Sequence, residues 1–214
     1  MQIAIALFDR FTMLDAVGPY QVLAGLPGAN VSFVADRPRP VPDDSGNDRL
    51  VAEAAFGDVP NPEIVVIPGG PGEVSHRDGG PLREWLLAAD ATSQWTTSVC
   101  TGSLILAAAG LIAGRRATSN WLAMDELKRL GAEPVSERVV FDGKYVTGAG
   151  VSAGIDMALA LAGRIAGDRT AQTIQLGIEY DPQPPYDAGS PAKAPADVVS
   201  YLRAGGRFAL TGQN

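Results

Sequence analysis

The chain has 214 residues and a formal net charge of −7 at neutral pH, with 46% hydrophobic and 19% charged residues. This composition is typical of a globular protein rather than a disordered one, and an acidic chain lacks the basic stripe that nucleic acid recognition requires. The single cysteine excludes an internal disulfide and a multi-thiolate metal site, and the single histidine excludes most zinc sites.

Targeting and membrane signals are weak throughout the sequence. The chain starts without a basic signal region, and its apolar run at residues 104–112 is too short to span a bilayer. We therefore expect a protein of the reducing cytoplasm that has neither membrane nor nucleic acid as a partner.

Apolar strands alternate with helical patterns along most of the chain. Strands are predicted over residues 3–8, 31–35, 50–54, 63–67 and 95–99, with a hairpin over 135–141 and 144–147. Helices are predicted over residues 15–26, 81–89, 101–109, 121–130, 152–166, 168–179 and 197–203. A proline-rich loop is expected to run through Pro42. Unbroken apolar strands between helices predict an α/β fold, doubly wound, with a mostly parallel sheet flanked by helices in a single domain.

The C-terminal part of the chain differs in composition from the rest. We expect the α/β domain to span residues 1–180. From residue 181 to 195 the sequence is rich in proline and glycine, which indicates an extended arm. The segment 181–214, arm and last helix together, is expected to pack on the same domain or on a neighbouring subunit.

The clearest functional signal is residues 98–103, Ser-Val-Cys-Thr-Gly-Ser. A predicted strand ends at Cys100 and a helix of small residues begins at once, which is the geometry of a nucleophile elbow at the carboxyl edge of a sheet. A free cysteine is often inert core packing, but this setting favours a nucleophile. An ordinary thiol is only about 3% ionised at pH 7. Since no cationic side chain is near in sequence, hydrogen-bond donors to the sulfur are expected.

Two other segments are expected at the same edge. The glycines of residues 68–72 either shape a turn or let backbone N–H groups approach a ligand, with the N–H of Thr101 as a second donor. Asp15 is either the N-cap of the first helix or a carboxyl near the sulfur. In the second interpretation it donates a proton to the thiolate or accepts one from water.

Together these motifs resemble the ThiJ/PfpI superfamily, and within it the isocyanide hydratases. The resemblance covers nearly the whole chain and rests on Asp15 with Gly18 and Pro19, and on residues 67–70, 98–103, 109–111, 114–118, 148–156 and 184–191. It implies a flavodoxin-like, class I glutamine amidotransferase-like fold and a homodimer that uses no cofactor and no metal.

The resemblance also assigns roles to individual residues. It implies that Cys100 is the nucleophile, that Asp15 is the general acid and base, and that Thr101 is beside the sulfur. The residues expected to polarise or border a small-molecule substrate are Gly70, Pro71, Gly150 and Val151. The implied reaction is hydration of an isocyanide: Cys100 attacks the carbon, Asp15 supplies a proton, and a thioimidate forms. Asp15 then activates water, and an N-substituted formamide is released.

Two positions depart from the family pattern, and the single histidine of the chain is not expected to assist the cysteine. Asn120 stands where relatives with Thr-Thr-His-Trp have histidine, and because an amide cannot take a proton, amide or peptide hydrolysis is not expected. Tyr20 stands where the hydratases have histidine, which would reshape the pocket. His76 is expected to be a solvated loop residue.

Two alternative functions remain open at this point. Related domains are fused to DNA-binding helix-turn-helix modules. The first alternative is therefore a regulatory protein that senses a ligand or oxidative stress. The second alternative is a glyoxalase or deglycase, although such enzymes usually have glutamate at the position of Asp15.

Overall fold

The computed structural model describes residues 1–205. The strands are β1 Gln2–Ala6, β2 Asn30–Ala35, β3 Arg39–Pro42, β4 Arg49–Ala52, β5 Ala54–Ala55, β6 Ile64–Ile67, β7 Trp95–Val99, β8 Arg116–Ala117, β9 Glu133–Pro134, β10 Val139–Asp142 and β11 Tyr145–Gly148. The α-helices are α1 Met13–Leu23, α2 Pro81–Thr92, α3 Gly102–Ala108, α4 Met124–Arg129, α5 Ala153–Ala166, α6 Asp168–Gly177 and α7 Ala196–Arg203. Short 3₁₀ turns span Phe56–Asp58, Pro71–His76 and Trp121–Ala123.

A seven-stranded sheet forms the centre of the fold, in the order β10-β11-β7-β6-β1-β2-β5. In the middle, Ile3 of β1 is paired in parallel with Val31 of β2 and with Ile64 of β6. Within this sheet only the β10–β11 pair is antiparallel. Residues 3–6 and 64–67 are fully buried, so both faces of these central strands are covered, as in other parallel sheets.

The helices pack closely against one another and against the sheet. Helix α1 packs on α5, which also packs on α6, while α3 packs on α4. A side chain added at Gly154 of α5 would lie 3.1 Å from Val99 and 3.2 Å from Pro19, so a residue without a side chain lets α5 approach both β7 and α1. The doubly wound, mostly parallel, single-domain α/β fold is confirmed.

Residues 39–55 differ from the sequence-based expectation. The predicted proline-rich loop is wrong, because Arg39–Pro42 forms a strand that is antiparallel to β4. Proline cannot donate a ladder hydrogen bond, but a two-stranded hairpin has open edges that tolerate it. The strand predicted over residues 50–54 is two strands, β4 and β5, and they belong to different sheets.

The other elements differ mainly at their ends. Helix α1 begins two residues before the predicted start, and β10 begins at Val139 rather than at 135. The helix predicted over 121–130 consists of a 3₁₀ turn followed by the short helix α4.

A cation–π contact joins the C-terminal segment to the domain. The guanidinium of Arg203 in α7 is 5.6 Å from the ring centre of Trp121, a cation–π distance. Most of the arm is exposed. Residues 206–214 of the expected packing segment lie outside the described residues, and the boundary at residue 180 stays a prediction. Within residues 1–205, no helix has the length and apolar character needed to cross a membrane.

Candidate active site

Cys100 occupies the sharp turn between β7 and α3 and has a backbone φ of +57°. This left-handed conformation is strained for a residue with a side chain, so the surrounding structure must hold it. Four hydrogen bonds do so. The Cys100 N–H donates to the carbonyls of Gly148 at 3.1 Å and Ala149 at 2.8 Å, and its carbonyl accepts from the hydroxyls of Ser103 at 3.1 Å and Ser119 at 3.0 Å. The predicted elbow is present.

The start of α3 lies directly against the end of β6. A Cβ at Gly102 would overlap the carbonyl oxygen of Ile67 and lie 2.8 Å from that of Pro68. Because both obstacles are backbone atoms, the elbow requires glycine at this position to bring Cys100 beside the 68–72 turn.

Asp15 contacts the same 68–72 turn and is fully buried. Its Oδ2 accepts a hydrogen bond from the Gly69 N–H at 2.9 Å, and its Oδ1 has no partner among the described residues. The N-cap of α1 is Thr12 rather than Asp15, so the N-cap interpretation of Asp15 is wrong. A Cβ at Gly69 would lie 2.5 Å from the Thr101 nitrogen and 3.0 Å from Asp15 Oδ2, which shows how tightly these groups pack.

The Asp15 carboxyl and the Cys100 thiol lie close enough to perturb each other's pKa. Burial raises the pKa of Asp15 to about 7, although the hydrogen bond from Gly69 and the nearby Cys100 thiol act to lower it. Burial, followed by the negative charge of Asp15, raises the pKa of the Cys100 thiol far above its ordinary value. At neutral pH the pair therefore holds at least one proton, and Asp15 is the member that titrates.

Three donors face the Cys100 sulfur. The N–H groups of Val151 and Thr101 and the side chain of Asn120 each act to lower the pKa of the thiol. Of the donors expected from the sequence, the Thr101 N–H acts on the sulfur, whereas the Gly70 N–H bonds to Thr101 Oγ1. Burial outweighs the effect of all three donors on the thiol pKa.

The sequence model of the DJ-1/PfpI family matches residues 1–164 of this chain. The chain belongs to the DJ-1/PfpI family.

Individual relatives of this DJ-1/PfpI protein differ in how much of it they match. The chain is 44% identical over 203 residues to the isonitrile hydratase of Pseudomonas putida, covering 95% of this chain and 89% of that protein. It is 36% identical over 101 residues to the HTH-type transcriptional regulator CdhR of Pseudomonas aeruginosa, covering 46% of this chain and 30% of the regulator. The crystal structure of a ThiJ/PfpI family protein from Pseudomonas syringae superposes with a TM-score of 0.91 at 38% identity, over 95% of this chain and 84% of that chain.

Of the predicted substrate-bordering residues, Gly70 and Pro71 lie on the turn beside Thr101. The Gly70 N–H donates to Thr101 Oγ1 at 2.9 Å, so polarising a ligand with this amide would require that bond to be exchanged. Pro71 begins the 3₁₀ turn that ends at His76. Their contact with a substrate stays a prediction.

Gly150 lies next to Asn120, and Val151 lies next to Cys100. A Cβ at Gly150 would be 3.2 Å from Asn120 Nδ2, and Val151 reaches Cys100 through its backbone. The sequence analysis treated Asn120 only as a position that lacks a proton acceptor. It overlooked that the amide of Asn120 can donate a hydrogen bond. The histidine-to-asparagine difference from relatives was the signal that marked this position.

His76 and Tyr20 lie outside this group. His76 packs against Phe8 with ring centres 5.0 Å apart, and burial lowers the pKa of His76, so it is not the solvated residue expected. It lines a separate cavity of about 310 Å³ at the ends of β1 and β2. Tyr20 packs on Phe33 at 5.1 Å. Within residues 1–205, no cluster of three or more His, Cys, Asp or Glu side chains could hold a metal ion.

Ion pairs connect the two segments that border the site. Arg77 follows the 71–76 turn and bonds through Nε to Oε2 of the buried Glu73 at 2.7 Å. Its Nη1 bonds to Oε1 of Glu126 in α4 at 2.5 Å. The turn that carries Gly70 is thereby joined to the helix that follows Asn120.

Proposed function

We propose that this DJ-1/PfpI protein is a cofactor-free cysteine hydratase that adds water to isocyanides and releases N-substituted formamides. The observation that carries the proposal is the burial of the Cys100 thiol and the Asp15 carboxyl together at the turn that contains Gly69. It places a nucleophile beside a carboxyl that can both give and take a proton near neutral pH. The near full-length similarity to an isonitrile hydratase supports the same activity.

The first half-reaction forms a carbon–sulfur bond. Asp15 accepts the thiol proton, and the sulfur electron pair forms a bond to the terminal carbon of the isocyanide. The same proton then passes from Asp15 to that carbon, which gives a thioimidate with a nitrogen–carbon double bond. The N–H groups that face the sulfur stabilise it while it carries negative charge.

The second half-reaction consumes one water. Asp15 takes a proton from water as the oxygen adds to the thioimidate carbon, and the carbon–sulfur bond then breaks. The nitrogen gains a proton and the formamide leaves, while Cys100 recovers its proton. One carboxyl performs both transfers, which agrees with a pKa raised to about 7 for Asp15.

We also propose that the protein works as a homodimer in the cytoplasm. In the single chain the apolar side chains of Leu176, Tyr186 and Tyr201 are exposed, which suits a face that a second subunit covers. A reducing compartment keeps the lone thiol available.

The test is formamide formation from an alkyl isocyanide by purified protein, followed by NMR. Wild type should turn over, and Cys100→Ala should lose the activity. Cys100→Ser, which keeps the shape of the side chain but weakens the nucleophile, should also be inactive while unfolding at the wild-type temperature. Wild-type turnover by Cys100→Ala would refute the mechanism.

The partial match to a transcriptional regulator keeps the sensing function as a second candidate. Mass spectrometry after mild peroxide treatment, combined with the formamide assay, separates the two functions. Sensing requires selective oxidation of Cys100 without isocyanide turnover.

A further inference from the structure

Asn120 is held in one orientation at the sulfur of Cys100. Its Oδ1 accepts a hydrogen bond from the Leu122 N–H at 3.0 Å, which fixes the oxygen end of the amide and directs Nδ2 the other way. On that side Nδ2 lies toward Cys100 and acts to lower the pKa of its thiol, and Gly150 leaves the space that the amide occupies. The preceding residue, Ser119, donates to the Cys100 carbonyl. Two consecutive residues thus hold the backbone and the side chain of the nucleophile.

An amide and an imidazole differ in what they can do at this position. Both can donate a hydrogen bond, but only an imidazole accepts a proton near neutral pH. Among the described residues, the titratable groups that act on Cys100 and Asp15 are these two residues themselves and Asp44. With asparagine at position 120, the thiol proton has Asp15 as its one acceptor.

We propose that Asn120 is a thiolate-binding residue that orients the Cys100 sulfur and stabilises its negative charge without competing with Asp15 for the proton. The inference deepens the proposed hydratase function and rests on it for the substrate. The contact with the sulfur itself can be tested without isocyanide.

The experiment measures the rate of Cys100 alkylation by iodoacetamide against pH, since the thiolate is the reacting form. Asn120→Ala removes both the donor and the bond to Leu122. Asn120→Ser keeps an acceptor for Leu122, because serine caps helices well, but its hydroxyl is too short to reach the sulfur. Both variants should alkylate about tenfold more slowly at neutral pH, with the midpoint of the profile about one pH unit higher.

Asn120→His keeps a donor and adds a proton acceptor. Its alkylation profile should gain a second inflection near the ordinary pKa of histidine, about 6.5. Asn47→Ala, at an exposed asparagine, is the matched control and should follow the wild-type profile. Thermal unfolding of every variant separates loss of reactivity from loss of fold.

The outcomes distinguish this inference from the proposed function. Wild-type alkylation by Asn120→Ser, with slower alkylation by Asn120→Ala, would reduce Asn120 to a helix cap and overturn the inference. Wild-type profiles for both variants would overturn it as well. Slower alkylation of both variants, in a protein that does not turn over isocyanides, would support the thiolate contact and refute the hydratase function.

Discussion

At the scale of single residues, the decisive feature is one carboxyl oxygen without a donor. Asp15 Oδ2 is held by Gly69, while Oδ1 is buried and has no partner among the described residues. A buried carboxylate with one unsatisfied oxygen is costly, and protonation relieves that cost. The same arrangement that raises the pKa of Asp15 therefore makes it a proton donor near neutral pH.

Asp15→Asn should change how stability depends on pH. An unfolded aspartate titrates near pH 4, so between about pH 4 and 7 the folded wild type holds one more proton than the unfolded chain. Stability must then fall as pH rises through this range. The variant cannot ionise, so at pH 8 it should exceed the wild type by on the order of a few kcal/mol, and the difference should vanish below pH 4. Urea unfolding at several pH values measures this.

The matched control for that series is Asp48→Asn, at an exposed aspartate, which should leave the wild-type slope unchanged. Asp15→Asn should also abolish isocyanide turnover, since an amide cannot transfer protons. If Asp15→Asn lost stability between pH 4 and 7 as the wild type does, the raised pKa assigned to Asp15 would be wrong.

The sequence could identify Cys100 and Asp15 because each belongs to a local pattern, an elbow and a strand-to-helix turn. Apart from Thr101, it could not identify which groups act on the sulfur, because Val151 was expected only to border a substrate and Asn120 was noted only as lacking a proton acceptor. Asn120 and Val151 come from separate segments that meet Cys100 only after the chain has folded. Such a contact depends on how loops return over the sheet edge, and residue spacing does not encode it.

At the scale of elements, the junction between β6 and α3 depends on glycine. Gly102→Ala should destabilise the protein by roughly 1–3 kcal/mol and abolish isocyanide turnover, because the added Cβ would overlap the Ile67 carbonyl and displace the elbow. Gly57→Ala is the control, since a Cβ there meets nothing within 4 Å. Thermal unfolding and turnover together test this, and wild-type behaviour of Gly102→Ala would contradict the packing described.

The helices were predictable as elements because their apolar residues recur at helical spacing. Most of the observed helix ends lie within a few residues of the predicted ends. The β3–β4 hairpin was not predictable, because Pro40 and Pro42 mask its strand pattern. The start of α1 was misjudged for a different reason. Thr12 caps the helix without a side-chain hydrogen bond to it, because its hydroxyl donates to Asp44 instead.

At the scale of the whole molecule, chain topology places the site. After β1 the chain forms α1 and pairs β2 on one side of β1, and later returns to pair β6 on the other side. A crevice forms where the direction of winding reverses, and ligands bind there in open α/β sheets. Asp15 and the 68–72 turn follow these two central strands, so the sequence of strands alone could predict where the site would be.

The topology of a single chain does not predict its association state. Following the proposal above, we expect a homodimer. Sedimentation velocity at micromolar concentration should give twice the chain mass of 22.2 kDa. Large apolar side chains near the C-terminus, Leu176, Tyr186 and Tyr201, are exposed in the single chain, as expected for residues that a second subunit covers. Sedimentation as a single chain at this concentration would refute the dimer.

The pairing of Arg77 with Glu73 and Glu126 has a mechanical consequence. The 3₁₀ turn that follows Gly70 and the helix that follows Asn120 are tethered through a single guanidinium that is largely shielded from solvent. A displacement of either segment therefore has to carry the other with it or break an ion pair, which couples the two segments beside the nucleophile.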